Sequence, residues 1–457
     1  MTPLTAPASI PAPATPRPLQ TASWILDPTG YMRTNRRRFG DLFRVALTPG
    51  ESSRTLMVSE PKALQQMLSS DSGRSFSAPG DVNELLVTLL GRQSVILLSG
   101  QAHRQRRQLV MPHFHGDILA GYERAMETIT QEELGSWPAG DVRSVRSVMQ
   151  TITLRIILQV VFGLERGERA VALRHLLSRR LEMTATPLTS AVFFLPWLQR
   201  DFGPWSLGAR INRLAEATDA LLFEEIRERR NGPCGGSDML SLLLQARDEQ
   251  GQGLTDQELR DELITLLVAG HETTATALTT AFYWLHRSDR PEPLQTLREE
   301  LDGLEPGAGA DALVRLPYLG AVTQEALRIH PVAMLTFPRR VEVPLECCGY
   351  RLEPGDLVMG SIYLLHQRED LYPQPECFRP ERFLERQYSP YEYMPFGGGV
   401  RRCIGTGLAR HELRVVLGTL MRQDRFRLCN RRPVPQARRG VTLGHGAPVL
   451  LRRERPS

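Results

Sequence analysis

At 457 residues and 41% hydrophobic content the chain is long enough for more than one domain and apolar enough to bury a large core. Its net charge of +5 is modest, and its arginines fall in short runs among apolar residues, such as Arg36 to Arg38 and Arg179–Arg180. No basic stripe follows, which excludes a nucleic-acid binder. Lys62 is the only lysine, a bias that codon usage explains more simply than selection for phosphate binding.

The opening "MTPLTAPASIPAPATPRPLQ" lacks the apolar core of a secretory signal and the roughly 20-residue span of a membrane anchor. It is expected to be a disordered Pro/Ala-rich leader over residues 1–22, ahead of a single domain over 23–457. "LFRVAL" and "RTLMVS" read as paired strands around a Pro49–Gly50 turn. From Pro61 the pattern is helical, with apolar residues three and four apart in "ITLRIILQVVFG" and "INRLAEATDALLFEEIRERR". "RNGPCGGSD" and "DEQGQG" are loops. Thr255 and Glu258 form a capping box that opens a helix running to about His286, on the order of 45 Å at about 1.5 Å per residue.

From Pro331 the texture changes to short β pieces in "LECCGYRLEPGDLVMG", then to the Pro-rich "LYPQPECFRPERF". A last long helix starts just after Cys403, with Ala409, Leu413, Val416, Leu417 and Leu420 on one face. The fold class is mainly α, a helix-rich body with a small β-rich lobe. None of the six cysteines stands in C-x-x-C spacing, so a zinc site is not expected, and inert thiols fit a cytoplasmic protein. The apolar run "LITLLVAG" stops at His271–Glu272, so no membrane span is expected.

The stretch Phe396–Gly405, "FGGGVRRCIG", carries the chemistry. A P-loop needs Gly-Lys-Ser/Thr, and a dinucleotide fingerprint needs a third glycine where Arg402 stands. A nucleophilic cysteine lacks a local base. A haem-thiolate ligand accounts for more of the residues. Cys403 precedes a helix whose N-terminus favours a sulfur anion. The glycines at 397, 398, 399 and 405 let backbone pass beneath a flat macrocycle, and Arg401 answers a propionate.

These residues resemble the F-x-x-G-x-R-x-C-x-G signature of the cytochrome P450 monooxygenases. Ala269 to Thr274, "AGHETT", is similar to the family's (A/G)-G-x-(D/E)-T motif. The resemblance implies that Ala269 and Gly270 make room for O2, that Thr273 hydrogen-bonds the activated oxygen, and that Glu272 relays protons. Glu325 and Arg328 in "EALR", with Arg382 in "FRPERF", resemble the family's structural Glu-Arg-Arg network. His103 and Arg107 resemble its propionate-binding H-x-x-x-R pair, and Arg339 another propionate contact, with Arg340 as the alternative. Phe396, Arg401 and Gly405 complete the cofactor-binding set around the iron ligand Cys403.

By resemblance, covering roughly residues 25 to 450, the protein is a monomeric haem b (iron protoporphyrin IX) monooxygenase of a bacterial branch that oxidises long-chain fatty acids and terpenes. It would insert one atom of O2 into a lipophilic substrate by hydroxylation or epoxidation. With no reductase domain expected in the chain, electrons come from a ferredoxin or flavodoxin and its NAD(P)H-dependent reductase. Arg402, Arg410 and Arg414, with Arg104 or Arg106, offer an acidic partner a basic patch. Substrate-lining segments are expected at 75–95, 180–200, 263–273, 331–337 and 442–446, and the Phe193–Trp197 cluster at the pocket or its access channel. A peroxide-driven haem-thiolate enzyme, which would lack the acid–alcohol pair, and a haem-thiolate sensor are the competing readings.

Overall fold

The computed structural model describes residues 9–48, 54–114, 116–163, 167–232, 238–248 and 250–454. Cys234 and the Pro49–Gly50 turn lie outside them. The chain enters through α1 (Arg17–Leu26), α2 (Pro28–Phe39), β1 (Leu42–Arg44), β2 (Thr55–Val58), α3 (Pro61–Ser69) and β3 (Phe76–Ser77). Next come α4 (Val87–Leu90), α5 (Gly100–Val110), α6 (Asp117–Gly135), β4 (Val142–Ser144) and α7 (Val145–Phe162). They are followed by α8 (Glu168–Glu182), α9 (Ala191–Phe194), α10 (Leu207–Asn231) and α11 (Met239–Gln245). The centre is α12 (Asp256–Leu285), then α13 (Glu292–Asp302), α14 (Ala310–Arg315) and α15 (Pro317–Ile329).

The β-rich part holds β5 (Arg339–Val341), β6 (Leu345–Cys347), β7 (Tyr350–Leu352) and β8 (Leu357–Gly360), then α16 (Ile362–His366) and α17 (Arg382–Glu385). After α18 (Thr406–Gln423) come β9 (Phe426–Leu428), β10 (Gln436–Arg439), β11 (Thr442–His445) and β12 (Leu450–Arg453). A five-stranded sheet runs β1-β2-β8-β5-β3, in which the β2–β8 pair is parallel and sets Val58 opposite Gly360. The expected class, a helix-rich body with a small β lobe, is what the chain forms.

Structure begins earlier than a leader over residues 1–22 allows. Ile10 is buried against Leu42 and Leu56, and the Pro11 carbonyl accepts from the Arg44 N–H at 2.9 Å. Helix α1 already covers Arg17–Leu26, with prolines at its start, where no backbone donor is lost. Apolar burial and a free edge on β1 outweigh the low-complexity composition there.

Helix α12 packs on α7, α10, α15 and α18 and is buried nearly all round. The capping box forms as read: the Thr255 hydroxyl accepts from the Glu258 N–H at 3.3 Å, and the Glu258 carboxylate accepts from the Thr255 N–H at 2.9 Å. Its many threonines are tolerated inside because their hydroxyls donate back along the helix, Thr265 to Asp261 O (2.6 Å) and Thr279 to Ala275 O (2.7 Å). Among the described residues α7 alone is long and apolar enough to cross a membrane by length and composition, and 67% of it is buried in the protein.

The β lobe is locked to this body through one carboxylate. Glu325, fully buried on α15, accepts from Arg328 at 2.7 and 2.8 Å and from Arg382 at 3.2 Å. Arg328 also donates to the carbonyls of His366 (2.9 Å) and Pro375 (2.8 Å). The three residues read as structural therefore do meet. Glu325→Ala strands two buried guanidiniums and is expected to cost about 3–5 kcal/mol. A urea midpoint within about 0.5 kcal/mol of wild type would contradict that.

Burial pushes His286 and His330 down from 6.5 to about 4, and burial together with Arg328 holds His366 at about 3. His366 Nε2 accepts the Met394 N–H at 3.0 Å, a bond its protonation would break. Between roughly pH 6.5 and 4 the unfolded chain, with imidazoles near 6.5, takes up protons that the folded one refuses. Stability is therefore full above about pH 6.5 and falls with acidification through this window. A denaturation midpoint that stays level from pH 7 to pH 4.5 would refute it.

Candidate active site

The segment Phe396–Gly405 is a tight loop leading into α18. The Cys403 N–H donates to the Phe396 carbonyl at 3.0 Å and that of Arg402 to Gly399 at 3.1 Å. Gly397 (φ +67°) and Gly399 (φ +64°) take the left-handed backbone that other residues avoid. The Thr406 hydroxyl donates to the Cys403 carbonyl at 2.8 Å and closes the loop onto the helix. A side-chain carbon on Gly398 would meet Leu68 at 2.8 Å, and one on Gly399 would meet the Asp71 carboxylate at 2.0 Å. Those two glycines thus make room for protein rather than for a macrocycle. A side-chain carbon on Gly397 or Gly405 would meet nothing within 4 Å.

Cys403 carries exposed surface although protein surrounds it closely enough for burial to push its thiol up. The Gly405 N–H, the Thr406 hydroxyl and the guanidiniums of Arg107 and Arg402 pull the other way and favour the thiolate. A thiol both accessible and embedded faces an interior cleft. Ala269 has the same character, exposed on the otherwise buried α12. Thr273, one turn on, donates to the Ala269 carbonyl at 2.6 Å. Gly270 does not share this face: a side-chain carbon there would strike Ile157 Cδ1 at 2.8 Å, so its smallness serves packing against α7.

Glu272 turns toward α7 and β10. It pairs with Arg146, accepts from Gln150 at 3.0 Å and lies 4.0 Å from Arg439. These partners come from distant segments, and nothing in "AGHETT" signals them. Glu412 was also missed. It sits on the apolar face of α18, where its three-residue spacing from Ala409 marks it as buried. Burial drives its carboxyl far above the usual range, the Thr274 hydroxyl pulls it back, and its Oε1 has no partner among the described residues.

Around the cleft α5 contributes His103 and Arg107, β5 contributes Arg339, and the loop contributes Arg401. Burial, then Arg401, Arg107 and Arg339, hold His103 down at about 3, so its ring is neutral. Asp71 is the carboxylate that acts on this group, paired to Arg339 at 2.8 Å. Arg107 has no ion-pair partner among the described residues and is felt by Cys403. Arg339 is fully buried and donates to Asp71, to the Phe337 carbonyl (2.7 Å) and to the Gly398 carbonyl (3.0 Å), whereas Arg340 turns outward to Asp81 at 3.0 Å.

Arg401 departs from expectation. Its guanidinium donates to the carbonyls of Ala78 (2.6 Å), Val95 (3.0 Å), Ile96 (3.3 Å) and Leu98 (2.6 Å). It offers an anion its charge more than a free N–H. Three guanidiniums against one carboxylate, beside an accessible cysteine, fit an iron porphyrin, with sulfur for the metal and excess cations for its pair of propionates. Phe396 backs the loop from the helical core, with the Arg410 guanidinium 5.6 Å from its ring centre.

Of the five segments expected to line a substrate pocket, four share one apolar cluster, while 263–273 packs in the larger helical core. Leu85, Leu89, Phe193, Met334, Leu335 and Leu443 belong to one apolar cluster. Phe193 and Phe194 are buried in it, while Trp197 is 56% exposed. Of the expected basic patch, Arg104, Arg402 and Arg410 are exposed. Arg106 is instead buried against Glu258 at 2.6 Å, and Arg414 is half-buried, donating to the Val314 carbonyl at 2.5 Å.

The profile of the Cytochrome P450 family matches residues 14–448. A Mycobacterium tuberculosis protein carrying the name cytochrome P450 135B1 is 36% identical over 395 residues, 86% of this chain and 80% of that protein. A Mycobacterium bovis protein named cytochrome P450 138 is 32% identical over 448 residues, 97% of this chain and 96% of that one. A cyanobacterial P450 solved with retinoic acid bound superposes with a TM-score of 0.84 at 25% identity, over 98% of this chain and all of that one. The chain thus belongs to the cytochrome P450 family, the monooxygenases that hold haem b through a cysteine thiolate, and it is of the bacterial kind.

Proposed function

We propose that this enzyme hydroxylates or epoxidises a lipophilic metabolite, a fatty acid, terpenoid or polyketide-like compound, with electrons from separate redox proteins. The observation that carries the reading is Cys403, accessible yet embedded, beside a cationic cluster short of carboxylates. The apolar cluster joining Phe193, Met334 and Leu443 supports a lipophilic substrate, as does the structural relative bound to retinoic acid. The exposed Arg104, Arg402 and Arg410 support an acidic ferredoxin or flavodoxin, served by an NAD(P)H-dependent reductase. Unpaired cysteines suit a cytoplasmic protein, here taken as a monomer with one domain.

Bound haem supplies the redox chemistry that activates O2 and inserts one oxygen atom into a C–H or C=C bond. Cys403 would hold the iron through its thiolate, and the Gly405 N–H and Thr406 hydroxyl would favour that charge. Arg107 and His103 would bind the propionates, with Arg339 and Arg401 adding positive charge. Thr273 holds its proton on the Ala269 carbonyl, and a hydroxyl on a helix has a second rotamer that releases it into the cleft. Glu272, anchored by Arg146 and Gln150 on the far side of the same turn, passes protons inward from that ion pair. This acid–alcohol pair favours O2-dependent turnover over a peroxide-driven reaction or a sensor.

Screening fatty acids, sesquiterpenes and macrolides for a low- to high-spin shift, then for product with a surrogate ferredoxin system, tests the reading. Thr273→Ala is expected to keep consuming NAD(P)H while hydrogen peroxide replaces most of the product; unchanged coupling rejects the proton role. Arg107→Ala removes a cation that makes no ion pair among the described residues. It should leave the denaturation midpoint in place yet speed haem transfer to apomyoglobin about tenfold or more, the size of one charged hydrogen bond. Wild-type haem retention would remove Arg107 from the cofactor site.

A further inference from the structure

The apolar cluster around Phe193 borders a cation that the haem site does not use. Arg180, in the last turn of α8, is 2% exposed. Its Nη2 donates to the carbonyls of Thr88 (2.9 Å) and Leu89 (3.0 Å), at the end of α4. Its Nε and Nη1 are buried with no acceptor among the described residues. Asp219 is the carboxylate that acts on it. Both Asp219 oxygens, however, already accept from Arg260 Nη2, at 2.5 and 2.7 Å. Arg260 also bonds Asp261 at 2.8 Å, and neither carboxylate makes an ion pair with Arg180 among the described residues.

Burial accordingly holds Arg180 at about 10, still a cation at neutral pH. A buried guanidinium N–H without an acceptor is expensive, and buried donors generally have a partner. If Arg180 only pinned the α4 carbonyls, the donors on Nη2 would suffice, and Nε and Nη1, which have no acceptor among the described residues, would be a cost.

The surroundings say what kind of anion fits. Arg180 borders a cavity of about 20 Å³ that is also lined by Thr88, Leu89, Val192, Phe193 and Ile211, space for about one water. Leu89, Val192, Phe193 and Ile211 are part of the same apolar cluster as Met334 and Leu443, which continues from this cavity toward the expected substrate segments. One cation at one end of a continuous apolar surface matches a molecule with one anionic end and a long apolar body.

We propose that Arg180 binds the carboxylate of the substrate, so that the compounds oxidised are apolar carboxylic acids with the tail lying along Leu89, Phe193 and Ile211. This rests on the monooxygenase reading above and narrows it. The carboxylate displaces the water-sized space beside Nε and Nη1, and the wall elements α4 and α9 part to admit it. Fatty acids and isoprenoid acids share this head group and differ in the tail, which the apolar cluster, not Arg180, selects.

The holoenzyme is titrated with tetradecanoic acid and with farnesoic acid, each beside its methyl ester, by spin-state shift and independently by equilibrium dialysis. At least one acid is expected to bind about tenfold tighter than its ester. Arg180→Met should abolish that preference and Arg180→Lys retain part of it, while ester binding changes little. Which acid shows the preference tells the fatty from the isoprenoid source. Equal binding of acids and esters by wild type, or a preference that survives in Arg180→Met, overturns the assignment and leaves the lipophilic monooxygenase reading intact. Should Arg180→Met fail to fold, the wild-type acid-to-ester ratio decides alone. No binding of any acid or ester rejects the lipophile reading, and this inference with it.

Discussion

The buried carboxylate of Glu325 is the constraint on which the rest of the molecule depends. It binds Arg328 on its own helix and Arg382 from far along the chain. Arg328 spends its remaining donors on the carbonyls of His366, Pro375 and Cys377, and its guanidinium lies 5.2 Å from the Tyr372 ring centre. A Pro-rich stretch without regular structure is thereby held from several sides. That stretch leads into the cysteine loop, so an ion network that does no chemistry sets where the chemistry occurs. A hydrophobic replacement would bury as much area but leave those carbonyls without donors.

The central helix α12 serves as core and as wall of the cleft. Its threonines donate back to carbonyls one turn earlier, which lets a polar sequence lie among apolar neighbours. Ala269 is exposed and Thr273 bonds its carbonyl one turn on, while Gly270 and Glu272 serve the contact with α7. A motif of six residues is thus shared between two faces. The border of the apolar cluster around Phe193 follows the same economy: Arg180 both fastens α4 and leaves donors over an apolar surface.

Local chemistry made much of this legible. The capping box at Thr255, the face of α18 and the glycine turns around Cys403 each depend on residues a few positions apart, so their geometry follows from spacing. Elsewhere short-range reading failed for identifiable reasons. The Pro/Ala-rich opening looked disordered because its stabilising partners, Leu42, Leu56 and the Arg44 N–H, lie outside it. Gly398 and Gly399 looked like room for a macrocycle, yet they yield to Leu68 and Asp71. Arg401 looked free to meet a propionate, but four carbonyls from residues 78–98 surround it.

The sequence by itself determined the family and the helix-rich class, and it singled out the cysteine and the acid–alcohol pair of the proposed site, because each is written in contiguous or regularly spaced residues. Tertiary structure alone decided that Arg339 and not Arg340 turns inward, that Glu272 is tied to Arg146, and that two nitrogens of the buried Arg180 have no acceptor among the described residues. The physical reason is the same in every case. The energy of a buried charge depends on its partners and on the water it has lost, and both are set by segments that meet only when the chain is folded.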